Sequence, residues 1–391
     1  MAPAAPPTDA LIPTTLNRAA DMSAAEWNAL VPGVDGVPDN PFLDHAFFAA
    51  VEDSGSASVA TGWQPIHLVL RAETGGPARA IMPLYAKSHS QGEYVFDHGW
   101  ADAFERAGGA YYPKLQSAVP FTPVTGNRLL ARTEADQRAL LRAAEALADS
   151  NAISSVHATF IAEDEARLAV DTGWLLRLDT QYHWSNAGYG TFEDYLLSLS
   201  SRHRKVMKRE RRDALADGLS VRWLTGADLT EAVWDQFFVF YQDTGSRKWG
   251  QPYLNRRFFS LLGESLGHRV VLMFAYDGDV PIAGTLSLVG RERLYGRYWG
   301  ATREVPFLHF ELCYYQAIDY AIAHGLTVVE AGAQGEHKLA RGYAPQTTRS
   351  VHHIGHPGLR QAVARYLDQE RRQVAADQVV LAQYTPFKQT P

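Results

Sequence analysis

Arg269–Tyr276 (RVVLMFAY) and Ile282–Val289 (IAGTLSLV) flank Asp277-Gly278-Asp279, so two apolar, β-rich runs enclose a turn and read as a β-hairpin. Working outward, Leu294–Ala301 reads as a third strand and Phe307–His324 as a long helix. Thr327–Ala331 follows as another strand, then a short helical stretch at Glu336–Arg341 and a last strand at Thr347–Ile354. The same order occurs earlier in the chain. Trp63–Leu70 and Ala80–Ala86 form the hairpin, followed by a strand at Glu93–Asp97, a helix at Glu134–Ala148, a strand at Ser155–Phe160, a short helix, and Trp174–Tyr182. Antiparallel hairpins that lead through a helix to a further strand specify α/β units with mixed sheets, in tandem, rather than a purely parallel doubly wound sheet. No Gly-x-Gly-x-x-Gly opens a helix after a strand, which argues against a nicotinamide or flavin site.

The length of 391 residues fits this doubling. The expected division is a flexible Ala/Pro-rich segment 1–20, a first unit 21–185, a basic helical connection 186–268, and a second unit 269–391 ending in an amphipathic helix. Within the connection, Thr191 suits an N-cap, Ser200 or Ser201 begins the next helix, and helices are expected at Thr230–Tyr241 and Asn255–Leu266. A single cysteine, Cys313, excludes an intrachain disulfide and a thiolate cluster. With neither a signal-peptide pattern nor an apolar run of roughly 18 to 20 residues, the expectation is a cytoplasmic protein with no transmembrane segment.

The formal charge of −6 conceals a local reversal. Arg202–Arg212 carries Arg202, Arg204, Lys205, Lys208, Arg209, Arg211 and Arg212 against Glu210, a local +6 that leaves −12 on the remaining 30 cations and 42 anions. At helical spacing Arg204, Lys208 and Arg211 share one face, and Arg202, Lys205, Arg209 and Arg212 the next. Such a helix suits a phosphate-bearing partner; it equally suits a solvated face balanced by acids from elsewhere.

A second constellation, Glu330-Ala-Gly-Ala-Gln334-Gly-Glu336-His337-Lys338-Leu-Ala-Arg341-Gly-Tyr343, leaves a strand end through a polar, glycine-containing turn, where α/β units commonly place a substrate. Arg297-Tyr298-Trp299 and His309 lie close to the same sheet edge. His309 and Glu336 are candidate proton acceptors, and Lys338, Arg341 and Arg297 candidate stabilisers of an oxyanion or of donor phosphates. Arg247-Lys248-Trp249 forms a cationic, aromatic loop. In the first unit Asp97, His98 and Lys114 lie in polar-aromatic clusters that suit either binding or packing. Adjacent Glu336 and His337 point about 100° apart on a helix, so no metal site is expected. There is no nucleophile elbow and no Walker loop, and Cys313 lies mid-helix with no evident activating partner, so covalent catalysis has no strong candidate.

Gly62–Arg71, Lys87–Gly126, Ser200–Arg212, Phe240–Gly250, Leu294–Gly325 and Val329–Pro345 resemble the FemAB-like group of N-acyltransferases, a bacterial branch of the GNAT superfamily, over nearly the whole chain. The resemblance implies two tandem GNAT-like domains. It also implies transfer of an acyl or aminoacyl group to an amine, with aminoacyl-tRNA or acyl-CoA as co-substrate, no tightly bound cofactor, and a peptidoglycan precursor as acceptor. Lys338 resembles the lysine that lies beside the transferred group in Fem enzymes. Where acetyl-CoA-dependent members carry a Gln/Arg-x-x-Gly-x-Gly/Ala loop, this chain has Arg303-Glu-Val-Pro306-Phe-Leu-His309-Phe, which argues against acetyl-CoA. The competing expectation is a non-catalytic module that binds a cell-wall precursor or RNA.

Overall fold

The computed structural model describes residues 11–248, 252–332 and 335–388. Trp249 and Gln334 lie outside the described residues, as do the side chains of Arg247, Lys248 and Glu336. At the centre is one mixed sheet of eleven strands: β1 (Trp63–Pro65), β2 (Tyr85–Lys87), β3 (Lys114–Ser117), β4 (Ser155–Thr159), β5 (Leu175–Ser185), β6 (Ser220–Thr225), β7 (Val270–Asp277), β8 (Val280–Val289), β9 (Arg293–Ala301), β10 (Val328–Ala331) and β11 (Ala344–Ile354). Their spatial order is β6-β7-β8-β9-β10-β5-β11-β4-β3-β2-β1. Each half contributes one parallel pair, β3 with β4 and β9 with β10; the other pairings are antiparallel.

The last strand of each half is exchanged. β5 pairs with β10 and β11, while β11 returns to pair with β4, with nine residue pairs of β5 and β11 in register from Leu175↔His352 to His183↔Ala344. Paired residues share a face, so His157 of β4 meets His352 of β11, Nδ1 to Nδ1 at 2.7 Å, across the join. Neither half completes its sheet from its own residues.

The β7–β8 hairpin is apolar throughout because both of its faces are covered. Phe274 packs under α3 (Glu231–Lys248) and α4 (Arg256–Leu266), while Val271 and Met273 face a helix on the other side. That helix, α5, runs from Leu308–Phe310 through a π-turn at Glu311–Tyr315 into Gln316–Ala323. Gly300 lets α3 lie directly on β9: a Cβ there would sit 1.7 Å from the Phe240 carbonyl oxygen. The helix α6 (Pro357–Leu381) crosses the join, where Arg177 of β5 pairs with its Glu370.

Several expectations need correction. The first-half hairpin is split between two sheets, since Pro65 and Pro83 interrupt its ladder. His67–Arg71 and Ala78–Met82 belong instead to a four-stranded sheet with Ile12–Leu16 and Leu130–Ala131. Glu93–Asp97 is not a strand. Its carboxylates are buried against Lys114, and the strand is Lys114–Ser117. The segment carrying Arg247 and Lys248 is not a loop but the end of α3. The edge strand β6 has no counterpart in the sequence reading. Thr191 does cap its helix, α1 (Phe192–Ser198), with Asp194 returning the bond.

Candidate functional site: a notch between two parallel strands

β9 and β10 pair only from Arg293↔Val328 to Gly296↔Ala331; beyond that β10 ends and β9 continues to Ala301. The register of β9 with β8 shifts there: Ser287 faces Gly296, Leu286 faces Tyr298, and Arg297 is the extra residue of a bulge. The chain then leaves towards β8, with the Thr302 amide on the Ile282 carbonyl at 2.9 Å, and so keeps clear of β10. A left-handed Phe307 (φ 63°) turns it into α5. Between the end of β9, this loop and the start of α5 lies a cavity of about 480 Å³ lined by Trp299, Arg303, Pro306 and His309 among others. The His309 ring packs edge-on against Trp299 (5.2 Å) and Tyr314 (5.6 Å) and lies 6.4 Å from His337, whose Nε2 is 2.8 Å from the Tyr314 hydroxyl.

On the far side of the notch, β10 runs through Gly332 (φ 73°) into a 3-10 turn, Glu336–Arg341. Its third residue, Lys338, is buried, with its Nζ donating to the Gly332 carbonyl at 3.0 Å. Burial lowers its pKa to about 8, and the Arg297 guanidinium pushes the same way, against the opposing influence of Cys313. Lys338 is therefore largely cationic at neutral pH. Arg297 is itself buried, bonded through Nη2 to Glu330 at 3.1 Å and stacked over Phe42 and Tyr295; Tyr298 packs edge-on against Tyr241 of α3 and donates to the Phe121 carbonyl.

Arg341 is committed elsewhere. It is bonded to Glu210 (2.8 Å), the Tyr315 hydroxyl (3.1 Å) and the His337 carbonyl (2.8 Å), and it lies over the Phe310 ring. Tyr343 is buried against Tyr314. Glu210 and Arg341 thus tie the turn to the basic helix α2 (Ser201–Ala214), whose Arg211 is bonded to Glu311 and Asp319. Lys208 pairs with Glu193, and Arg204 reaches the Leu199 carbonyl. These contacts set the two faces read from the sequence apart: Arg204, Lys208 and Arg211 are engaged, while on the other face Arg212 pairs with the adjacent Asp213 and Arg202, Lys205 and Arg209 are exposed and form no ion pair among the described residues.

Asp97 and Lys114 are not part of the notch. Five strand steps separate β3 from β9, about 24 Å at the usual spacing. They form a buried network in which Lys114 bonds Glu93 and Asp97, and Tyr111 donates to Asp97; His98 is exposed, stacked on Phe96. Sequence reasoning did not single out Glu210, Glu311 or Glu330 as anchors. Their signal was there: a lone acid in a basic run, an acid in an apolar helix, and an acid in a buried strand each need a cation.

No helix among the described residues is long and apolar enough to cross a membrane. A family model described as FemAB-like, peptidoglycan biosynthesis/recognition, matches residues 18–389. Among solved structures, FemX aligns at 12% identity with a TM-score of 0.53, over 88% of this chain and 98% of its own. A conserved protein of unknown function from Bacteroides thetaiotaomicron VPI-5482 aligns at 9% identity and TM-score 0.53, over 87% and 99%. A tandem GNAT protein from the clavulanic acid biosynthesis pathway aligns at 14% identity with a TM-score of 0.42, over 89% and 99%. Comparison with functionally curated proteins gives no match. The mixed sheet, its two parallel pairs and a family match spanning almost all of the chain lead to one conclusion: this chain belongs to the FemAB-like family of peptidoglycan biosynthesis and recognition.

Proposed function

We propose that the protein transfers an acyl or aminoacyl group to an amine, and that the notch between β9 and β10 is where it does so. The observation that carries this reading is Lys338, a buried ammonium with a pKa of about 8 at the mouth of parallel strands that separate beside a cavity. In the proposed step the acceptor nitrogen attacks the donor carbonyl carbon. The new N–C bond forms, the bond to the donor oxygen or sulfur breaks, and the nitrogen's proton passes to that leaving atom. Lys338 places positive charge beside the oxyanion, and His309 carries the proton. Arg341 acts as a positioning residue that holds the turn.

An aminoacyl ester on tRNA suits the site better than acyl-CoA. At the start of α5 Pro306 has no amide hydrogen, and the Leu308 amide already bonds the Val305 carbonyl, so the turn offers little to a pyrophosphate. The unpaired stripe Arg202-Lys205-Arg209 offers a phosphate backbone a place. Mass spectrometry of reactions pairing aminoacyl-tRNA or acyl-CoA with amine acceptors, peptidoglycan precursors included, tests this. Transfer from aminoacyl-tRNA that is lost in Lys338→Met supports it. Turnover of acyl-CoA with no tRNA present overturns the choice of donor, and no transfer from either overturns the enzyme reading in favour of recognition alone.

A further inference from the structure

Beside the turn that carries Lys338 lies a groove of about 860 Å³, whose other walls are β5, the C-terminal half of α6 and the start of α2. α6 is set down on the sheet by Arg371, which donates to the Leu176 carbonyl at 2.6 Å, and by Gln378, which joins Thr180 (3.0 Å) and Thr347 (3.1 Å). Val374 and Leu381 recur on that side of the helix. One turn further, Val380 and Tyr384 line the groove while 50% and 65% exposed, so part of its wall is apolar surface left in water.

The charges of the lining are one-sided. Among the described residues it holds Asp179 and Asp377, and neither Lys nor Arg. Asp377 stands next to Gln378, and Asp179 next to the Thr180 that Gln378 bonds, so the two carboxylates flank one contact between α6 and β5. Neither forms an ion pair among the described residues: Asp179 accepts from the Thr180 amide and Asp377 from Gln373, both at 2.7 Å. The guanidinium whose field reaches Asp179, that of Arg177, is already bonded through Nε and Nη2 to Glu370 (2.9 and 2.8 Å), and burial raises the Asp179 pKa. His203, its Nδ1 2.8 Å from the Ser200 hydroxyl, is lowered below its usual 6.5 by burial and by Arg202, and so brings no charge at neutral pH. Two uncompensated carboxylates in a wall of aliphatic and tyrosine side chains are the complement of an organic cation.

We infer that this groove binds a primary ammonium carried on an apolar stem, with Asp179 and Asp377 holding the charge and Val380, Leu381 and Tyr384 the stem. Leu339 and Ala340 join the groove to the Lys338 turn. On the transferase reading the amine would therefore be the acceptor's, or the free α-ammonium of an aminoacyl donor; the binding stands without that reading.

The test is titration of the full chain, with no donor present, against n-hexylamine, hexan-1-ol and methylamine, read by saturation-transfer NMR and calorimetry. Hexylamine should bind saturably; the alcohol, which lacks the charge, and methylamine, which lacks the stem, should each bind at least tenfold more weakly. Asp179→Asn combined with Asp377→Asn should cost hexylamine at least tenfold in affinity and leave the alcohol unchanged. Tyr384→Ser, at an exposed position, should weaken hexylamine and not methylamine. Equal affinity for amine and alcohol, or unchanged amine affinity in the double variant, would overturn the ammonium assignment, and methylamine binding as tightly as hexylamine would overturn the apolar subsite. Leucinamide, an α-ammonium as in a donor, and Nα-acetyl-lysinamide, a side-chain ammonium as in an acceptor, identify the source by which of them binds more tightly. Amine binding without acyl transfer would count only against the proposed function, and transfer without amine binding only against this groove.

Discussion

The two parallel strand pairs are built alike and end differently. After β9 the chain turns away towards β8, and a cavity lies between the end of β9 and the start of α5. After β3 the chain folds back over the end of β4: the Gly126 amide bonds the Phe160 carbonyl, and Arg128 is buried there. Its guanidinium donates to the carbonyls of Val124 (2.7 Å), Thr159 (3.0 Å), Gly126 and Asn127 (both 3.1 Å). The helical turn after each parallel strand carries a buried ionisable group as its third residue, Lys338 in Glu336–Arg341 and Glu165 in Glu163–Asp171. Glu165 accepts from the amides of Arg128 and Leu129 and from the Asn127 side chain. One half thus uses the position to seal a loop in place, and the other keeps a buried cation on the Gly332 carbonyl at the end of its parallel pair. The same scaffold specifies a plug or a site according to where one loop goes.

Removing the plug should have the largest effect on folding. Arg128→Met leaves buried carbonyls without donors and should destabilise the protein by about 3–5 kcal/mol, while activity per folded molecule is unchanged; denaturant melts and assays on the folded fraction check both. Lys338→Met should show the reverse, a drop of roughly 10²–10³ in transfer rate, with stability within about 1 kcal/mol. A first-half variant that abolished transfer without unfolding would break the comparison.

The pH dependence sharpens it. The active form of Lys338 is its ammonium, so transfer should fall about tenfold per pH unit above about 8, and Lys338→Arg should move that limb upward if it retains activity. On the acid side the join should fail instead. Burial, with Lys114 adding to it, holds His157 near a pKa of about 3 in the fold against its usual 6.5, and His352 is lowered too. Between those values the unfolded chain binds more protons than the native one. The stability these neutral rings contribute is thus complete above about 6.5 and is lost progressively as pH falls towards 3. Thermal melts from pH 7 to pH 4 should show a midpoint that falls less steeply in His157→Gln.

The smallest effect is expected at the basic helix. Charge reversal at Arg202, Lys205 and Arg209 should leave stability alone, weaken tRNA binding about tenfold and flatten its salt dependence; nitrocellulose filter binding across a salt series checks this. Arg211→Glu, facing Glu311 and Asp319, should unfold the region.

Much of this architecture was legible in the residues. The β7–β8 hairpin, both long helices and the polar turn at Lys338 follow from apolar period and glycine placement, because local chemistry determines them. The exchange of β5 and β11 was not legible, since each strand pattern is satisfied equally by either partner. Nor was the division of the basic helix into an anchored and an exposed side, which depends on Glu311 and Asp319 about 100 residues away. The notch itself rests on a one-residue bulge at Arg297 that has no composition signal.

The exchanged strands also decide when the molecule can exist at all. β4 obtains its second neighbour only when residues 344–354 have been synthesised, so during translation the first half waits with an open sheet edge for about half of the chain's length. A fragment ending after residue 185 should aggregate rather than fold, and two separately expressed halves should become soluble only when made together. Two full chains could also trade these strands, so the element that joins the halves offers a direct route to an intertwined dimer.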